Sequence, residues 1–411
     1  MPKKIVLITS GQPSLNPRLV KEADALAKAG FAVTVIYQYW NDWGTEMDLQ
    51  LLPSKKWKAI RVGGSPTKNN FLYWLTKIRH KAAKLLVKQF GFKFKLPEKA
   101  AGRCTFLLLK EALQQQADLY IAHNLAALPA AVLAAQKNKA KCGFDAEDFH
   151  RNETSDDPNN SDVLLKTFLE EKYFSKTNYL TASSLLITNL YQKIFPSKKI
   201  NTILNIFPAV KEVYMPVLKV NKTLKLVWFS QYIGLGRGLE TVFEALSKVS
   251  ATDFELHLIG FLSAEMKHYL AGNSFPADIR SKIIIHPPVH PDQLIQLISQ
   301  FDIGLATENS SPLNRDICLT NKIFSYIQAG LATLASDTKA QSQLLLEHPG
   351  IGKMYDKNSI TNLTETLNSF FTDPEMLLSC KKTAFELGQT VLNWETESVK
   401  FLKVIEETLA D

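Results

Sequence analysis

An asparagine–lysine pair opens the segment of this sequence that is best suited to bind a phosphate. Asn321 and Lys322 begin a helical pattern that runs to Gly330, and a short apolar stretch, 332–335, follows it. The first turn of a helix offers unpaired backbone N–H groups and a partial positive charge, and Lys322 adds a full charge beside them. This layout predicts a nucleoside-diphosphate site. The alternative is an ordinary helix cap at Asn321 beside a solvated lysine.

A glycine-rich loop is the second candidate phosphate site. Gly234, Gly236 and Gly238 separate an apolar stretch from a helical pattern, and Arg237 lies among them. Glycines allow close approach of the backbone, the helix start faces a phosphate, and a guanidinium donates forked hydrogen bonds to its oxygens. The spacing does not fit the dinucleotide-binding fingerprint. The alternative is a tight turn that carries a solvated arginine.

Polar residues in the first half of the chain also follow apolar stretches. His123 ends one stretch, and Asp145, Glu147 and Asp148 lie at the end of the next. At the carboxyl ends of parallel strands such residues lie where ligands bind. The carboxylates either shift one another's pKa or order a loop, and a lone histidine is often structural.

The first predicted strand-to-helix loop contains Gly11, Asn16 and Arg18. Arg18 has the charge to bind an anionic acceptor or the donor phosphate. Asn16 also suits the cap of the following helix, with Pro17 at its first position, and the two roles are compatible.

Two series of alternating strands and helices must position these residues. Residues 3–9 and 31–36 are typical of buried strands, and a helical pattern that ends at Gly30 lies between them. This βαβ unit predicts a parallel sheet. The alternation restarts after a turn-rich stretch at 208–216, which suits a linker. The expected fold class is therefore α/β, with two doubly wound halves.

Together the motifs resemble those of the family-4 retaining glycosyltransferases of the GT-B fold. The segment 319–331 is similar to their donor-sugar loop, and Arg237 matches their diphosphate-binding position. His123 matches a histidine that lies beside the reacting sugar in this family. The resemblance implies two Rossmann-like doubly wound parallel-sheet domains that face a central cleft.

The resemblance also implies how the chain is divided. Residues 1–212 form an N-terminal acceptor domain, which helix 392–411 completes, and residues 213–391 form a nucleotide-sugar donor domain. Family members usually carry two glutamates eight positions apart, but Ile317 and Ser325 occupy those positions here.

The resemblance implies an enzyme that moves a sugar from a UDP- or GDP-sugar to a glycan or lipid-linked acceptor, in cell-envelope polysaccharide synthesis. It implies retention of configuration and neither a metal nor another cofactor, because fixed cations stabilise the leaving diphosphate. The residues expected to be catalytic are His123, Arg237 and Lys322. Those expected to bind the donor are Gly234, Gly236, Gly238, Asn321, Ser325, Asp316 and Glu308. Those expected on the acceptor side are Gly11, Asn16, Arg18, Asp145, Glu147 and Asp148.

The missing glutamates leave a second class of function open. Asp316, Glu308 and the Ser325 hydroxyl are the candidates to replace them. An inactive relative that acts as a partner subunit or a sugar-nucleotide sensor is the alternative to an enzyme.

Positive charge is concentrated in the first half of the chain. Residues 1–200 carry 30 Lys and Arg against 17 Asp and Glu, whereas residues 201–411 carry 18 against 23. Between residues 55 and 103, 14 basic residues accompany one acidic residue, Glu98. Such a field attracts nucleic acid or anionic lipid. The stretch has no recognisable nucleic-acid-binding motif, so no nucleic-acid partner is expected.

The segment 71–90 has apolar and aromatic residues at helical spacing, with lysines on other faces. A basic amphipathic helix of this kind suits an anionic membrane surface, and Trp40, Trp43 and Trp57 add interfacial character. The alternative is a helix that packs on the first sheet and exposes only its basic face. No apolar run reaches the roughly 20 residues that span a bilayer. We therefore expect a cytoplasmic protein, with a peripheral contact through residues 71–103 to the inner face of the membrane.

Overall fold

The computed structural model describes residues 2–217, 223–250, 253–272, 275 and 277–410. These residues form two compact units. The first contains the described residues as far as Leu204, Pro312–Asn314, and the described residues from Ser398 onward. The second contains the described residues of Asn205–Ser311 and Arg315–Glu397.

The first unit is built on a seven-stranded sheet. Its strands are β1 (Lys4–Thr9), β2 (Ala32–Gln38), β3 (Lys58–Val62), β4 (Leu119–His123), β5 (Lys141–Ala146), β6 (Tyr179–Ala182) and β7 (Ile200–Thr202). They lie in the order β3-β2-β1-β4-β5-β6-β7, and neighbouring strands are parallel. The central strands are buried because apolar residues occupy both of their faces, as parallel sheets covered by helices require.

Eight helices connect and cover these strands in chain order. They are α1 (Pro17–Lys28), α2 (Asp42–Leu51), α3 (Asn70–Phe90), α4 (Leu96–Ala101), α5 (Thr105–Gln114), α6 (Leu128–Asn138), α7 (Ser161–Tyr173) and α8 (Leu185–Ile194).

The second unit has a six-stranded parallel sheet. Its strands are β8 (Leu224–Ile233), β9 (Phe254–Leu262), β10 (Ile283–His286), β11 (Ile303–Ala306), β12 (Ala332–Ser336) and β13 (Gly352–Tyr355). They lie in the order β10-β9-β8-β11-β12-β13. Its core includes Trp228, Phe243 and Phe370, which are fully buried.

The remaining helices follow in chain order. They are α9 (Leu239–Leu246), α10 (Ala264–Ala271), α11 (Ala277–Arg280), α12 (Pro291–Ile298), α13 (Leu313–Ile317), α14 (Asn321–Gln328), α15 (Lys339–Glu347), α16 (Ile360–Thr372), α17 (Pro374–Thr390) and α18 (Trp394–Ala410). The end of α18 is tied to the first unit, since Lys3 donates to the Leu409 carbonyl at 2.7 Å. Among the described residues, no helix combines the length and apolar content needed to cross a membrane.

The predicted fold class, two doubly wound parallel-sheet units, is confirmed. The strands that the sequence did not indicate lie at sheet edges: β3, β7 and β13. Strand β3 has two charged residues, Lys58 and Arg61, among its five, and β7 is only three residues long, so neither has the continuous apolar run of a central strand.

The prediction that Trp57 adds interfacial character is wrong. Trp57 is only 6% exposed, and its indole N–H donates to Asp24 at 2.7 Å. Trp40 is 65% exposed and remains a candidate for a surface role.

Candidate functional site

The strand order reverses once in each sheet, between β1 and β4 in the first unit and between β8 and β11 in the second. In doubly wound folds, ligands bind beyond the carboxyl ends of the strands at such a switch point. The predicted site residues cluster around these two places.

The glycine loop of the second unit lies between β8 and α9. Gly236 and Gly238 have φ angles of 72° and 81°, which residues with a side chain rarely adopt. A β-carbon at Gly238 would also lie 2.9 Å from the Thr307 β-carbon. The Thr307 hydroxyl donates to the Arg237 carbonyl at 2.9 Å, and Asn309 donates to the Gly236 carbonyl at 2.9 Å. These bonds hold the loop against the residues that follow β11.

Arg237 is the partly exposed cation of this loop. Within the described part of the chain, its guanidinium has no hydrogen-bonding partner. Gly234 is also partly exposed, and the next glycine, Gly236, donates its N–H to Glu240 at 2.6 Å. A guanidinium beside a glycine loop and the start of α9 is available to an anion.

Lys322 lies on the first turn of α14 and is only 6% exposed. Its amine pairs with a carboxylate oxygen of Glu308 at 2.5 Å, and the Thr320 hydroxyl donates to the same oxygen at 3.1 Å. Burial raises the pKa of Glu308, but the charge and hydrogen bond of Lys322 outweigh it and lower that pKa. The charge of Arg237 lowers it further, so both cations of the predicted phosphate site act on one carboxylate.

The alternative of an ordinary cap at Asn321 beside a solvated lysine is wrong. Thr320 occupies the N-cap position, and Asn321 is the first residue of the helix and partly exposed. Lys322 is buried and ion-paired rather than solvated.

The three candidates to replace the missing glutamates differ in their surroundings. Ser325 is fully buried, and its hydroxyl has no hydrogen-bonding partner among the described residues. Asp316 accepts from the Lys339 N–H at 3.0 Å and pairs with the Lys339 amine at 2.9 Å. Glu308 is therefore the candidate that the structure joins to Lys322. The donor-binding roles of Ser325 and Asp316 stay predictions.

His123 ends β4 at the switch point of the first unit, and it is fully buried. Its Nε2 lies 3.3 Å from a Glu22 oxygen. Its Nδ1 lies 3.4 Å from an Asp145 oxygen and 3.5 Å from a Glu147 oxygen. Burial lowers the pKa of His123, but the three carboxylates together raise it well above its usual value. The three carboxylates therefore favour the protonated form of the ring.

Arg18 is the second cation of this cluster, and it is also fully buried. It donates from Nε and Nη2 to the two Asp145 oxygens at 2.5 and 2.7 Å, and from Nη1 to the Ile203 carbonyl at 2.6 Å. The Thr181 hydroxyl donates to Asp145 at 2.6 Å. Burial alone raises the pKa of Asp145, but Arg18 and His123 lower it far below its usual value.

The other acceptor-side residues surround this cluster. Asn16 caps α1 by accepting from the Leu19 N–H at 3.0 Å, and its amide donates to Glu147 at 2.6 Å. Both the capping role and the site role predicted for Asn16 therefore remain compatible. Asp148 accepts from Asn314 at 2.7 Å, and burial raises the pKa of Asp148. Gly11 follows β1 and accepts from the Gln38 N–H at 3.2 Å.

Glu22 is the member of the cluster that sequence reasoning missed. It lies one helical turn beyond Arg18 on α1, with its oxygen 3.5 Å from Arg18 Nε. The spacing of four residues was a signal, because residues i and i+4 share a helix face.

Glu22, His123 and Asp145 each offer an atom that a metal ion could bind, and these three atoms lie within 4.8 Å of one another. Arg18 already donates to both oxygens of Asp145. A guanidinium in that position repels a further cation and uses the ligand atoms that it would need. The residues therefore fit an internal ion-pair network better than a metal centre.

Comparisons with known proteins rest on structure. No protein-family model and no curated protein matches the sequence. Alr3699/HepE of Anabaena, solved with UDP, matches with a TM-score of 0.68 at 13% identity, over 98% of this chain and 100% of that one. Sucrose-phosphate synthase of Thermosynechococcus elongatus matches with a TM-score of 0.67 at 13% identity, over 99% of each chain. WaaG, a glycosyltransferase involved in lipopolysaccharide biosynthesis, matches with a TM-score of 0.62 at 14% identity, over 98% of this chain and 99% of that one.

Proposed function

We propose that this protein, which has the GT-B fold of glycosyltransferases, transfers a sugar from a nucleoside-diphosphate sugar. The observation that best supports this is the convergence of Arg237 and Lys322 on Glu308 at the switch point of the second unit. Helices α9 and α14 begin beside these cations and add their N-terminal partial charges. Two cations and one carboxylate leave a net positive site, which suits a diphosphate.

The chemistry follows from where negative charge develops. As the glycosidic bond of the donor breaks, charge builds on the leaving diphosphate. Arg237 and Lys322 are fixed donors that stabilise this charge more in the transition state than in the ground state. On this proposal they do the work that a divalent metal does in other transferases. The acceptor oxygen forms its bond to the anomeric carbon on the face from which the diphosphate departs, and the leaving phosphate accepts the hydroxyl proton, so the configuration is retained as the family resemblance implies.

We assign the acceptor to the first unit, again from the resemblance. His123 is its proposed catalytic residue, and Arg18, Asp145 and Glu22 are positioning residues that hold the imidazole ring in place. The acceptor is a glycan or a lipid-linked sugar, and the setting is cell-envelope polysaccharide synthesis on the cytoplasmic side. HepE has been solved with UDP-glucose, and WaaG is involved in lipopolysaccharide biosynthesis; both support this proposal.

Thermal stabilisation by nucleotide sugars tests the proposal directly. The purified chain is heated with UDP-, GDP- and TDP-sugars, with and without EDTA, and donor hydrolysis is followed in parallel. One nucleotide class should raise the Tm, and EDTA should not change that shift. Arg237→Ala should remove most of it, whereas Arg280→Ala, at an exposed arginine of the same unit, should not. A shift that vanishes with chelation, or no shift with any donor, would refute the site.

The missing glutamates favour one alternative, an inactive relative that senses a sugar nucleotide or serves as a partner subunit. Ile317 and Ser325 stand at the two family positions, and both are buried. This alternative predicts nucleotide-dependent stabilisation with neither hydrolysis nor transfer. The same experiment therefore separates the two functions.

A further inference from the structure

Helix α3 exposes its apolar side chains to solvent. Phe71, Ile78 and Leu85 are 76%, 65% and 68% exposed, and Trp74 and Leu75 are each 51% exposed. Positions 71, 74, 78 and 85 are separated by three, four and seven residues, and 75 lies four after 71, so all five lie on one face of the helix. The alternative, a helix that packs on the first sheet and exposes only its basic face, is wrong for this face.

The packed side of α3 has a different set of residues. Thr76 and Ala83 are each 2% exposed and lie two turns apart. Arg103 donates to the Thr76 hydroxyl at 2.9 Å, and its guanidinium lies 4.8 Å from the centre of the Tyr73 ring. His80 Nδ1 lies 2.9 Å from a backbone carbonyl of α4. Rotating α3 to bury its apolar face would break these contacts, so the exposed orientation is fixed.

Positive charge borders the exposed apolar face. By helical spacing, four lysines lie along one side of it: Lys77, Lys81, Lys84 and Lys88. The sequence of α3 contains no Asp or Glu. The Lys77 amine lies 4.8 Å from the Trp74 ring, and Phe94, shortly after the helix, is 79% exposed.

We propose that α3 docks on the surface of an anionic phospholipid bilayer. Its apolar side chains enter the boundary between headgroups and acyl chains, and its lysine amines reach lipid phosphates. A nucleic acid would match the lysines but leave the apolar side chains in water. A second copy of the chain would cover the apolar face but bring two rows of lysines together. An anionic bilayer matches both features.

Sedimentation with vesicles tests this docking. The full chain should bind vesicles that contain phosphatidylglycerol, bind phosphatidylcholine vesicles less, and be released by salt. Replacing Lys81, Lys84 and Lys88 together with Gln should weaken binding about a hundredfold, since each basic residue near the surface contributes about fivefold. Phe71→Ser, Ile78→Ser and Leu85→Ser together should abolish binding.

A matched control replaces equally exposed apolar residues elsewhere. Leu49, Leu346 and Val399 are 72%, 76% and 67% exposed, and their joint replacement with Ser should leave vesicle binding as in the parent. Equal Tm values for the variants show that they are folded.

Three results would overturn the proposal. The first is that the parent does not bind anionic vesicles at low salt. The second is that the α3 serine variant binds these vesicles as strongly as the parent does. The third is that the parent is a dimer and the α3 serine variant is a monomer, with no difference in vesicle binding between them. The last result would identify a second copy as the partner. Nucleotide-induced stabilisation is measured without vesicles, so failure of docking leaves the proposed sugar transfer intact.

Discussion

The two switch points have the same topology and opposite chemistry. In the first unit, Arg18, Glu22, His123 and Asp145 are fully buried and lie in charge contact with one another. In the second unit, glycines keep the backbone open and Arg237 remains partly exposed. Topology therefore supplies the position of a site. The side chains decide whether the arginine at that position pairs with a buried carboxylate, as Arg18 does, or remains available to a charged ligand, as Arg237 does.

Breaking the buried pair at the first switch point should have the largest effect on stability. Arg18→Ala leaves Asp145 buried without its partner, so we expect a loss of about 3–5 kcal/mol in the free energy of unfolding. Urea denaturation measures it. Arg237→Ala, the matched arginine at the other switch point, should change stability by less than about 0.5 kcal/mol. Similar losses for the two variants would contradict the contrast between the sites.

For nucleotide binding, in contrast to stability, we expect the larger loss from substitutions at the second switch point. Arg237→Ala or Lys322→Ala should weaken UDP or GDP binding by about 1.5–3 kcal/mol, the range for charge-assisted hydrogen bonds. Titration calorimetry measures this loss. Lys322→Ala also leaves the buried Glu308 carboxylate without its ion-pair partner. The double variant Lys322→Ala with Glu308→Gln removes that charge, so it separates the loss of a hydrogen-bond donor from local unfolding. If both single variants bind UDP and GDP as tightly as the parent does, the second switch point is not an anion-binding site.

The contributions of the two switch points to stability should depend on pH in opposite directions. The raised pKa of His123 means that folding strengthens proton binding. Its contribution to stability is complete below about pH 6.5, the ordinary histidine value, and is lost as pH rises through its folded pKa. The lowered pKa of Glu308 has the opposite sign. Its contribution is complete above about pH 4.3 and is lost as pH falls through its folded pKa.

Unfolding free energies of His123→Gln and Glu308→Gln, followed from acid buffer below about pH 4 to basic buffer, check both signs. The advantage of the parent over His123→Gln should shrink in base, and its advantage over Glu308→Gln should shrink in acid. Each unit of pKa shift is worth about 1.4 kcal/mol. If the two variants show the same pH dependence, the opposite pKa shifts of His123 and Glu308 are contradicted.

The smallest expected effect concerns one glycine from each switch point. Gly238→Ala places a side chain at a φ of 81° and should cost about 1–2 kcal/mol. Gly11→Ala meets no atom closer than the Thr9 hydroxyl at 3.7 Å and should be nearly neutral. Denaturation of the two variants gives the difference. Equal costs would show that the glycine loop has no special backbone requirement.

Much of the fold could be predicted, because continuous apolar runs mark the central strands and glycines mark the ends of the helices between them. The resemblance to GT-B glycosyltransferases is confirmed for the fold. Edge strands such as β3 were missed because one side of them meets water and their apolar run is interrupted. At the site, the helix that begins beside Lys322 and the helix that follows Gly238 were predictable from local residue chemistry, whereas the pairing of Lys322 with Glu308 was not.

By itself, the sequence determined the local rules: which continuous apolar stretches form the central strands, where the helices after them begin, and that α3 has one apolar and one basic side. Each of these depends on residues within a few turns of one another. Only the tertiary structure decided which distant charges meet, as Arg18 and Asp145 do across 127 positions. It also decided that the apolar side of α3 faces solvent, because periodicity defines a helix face but not the direction in which packing turns it.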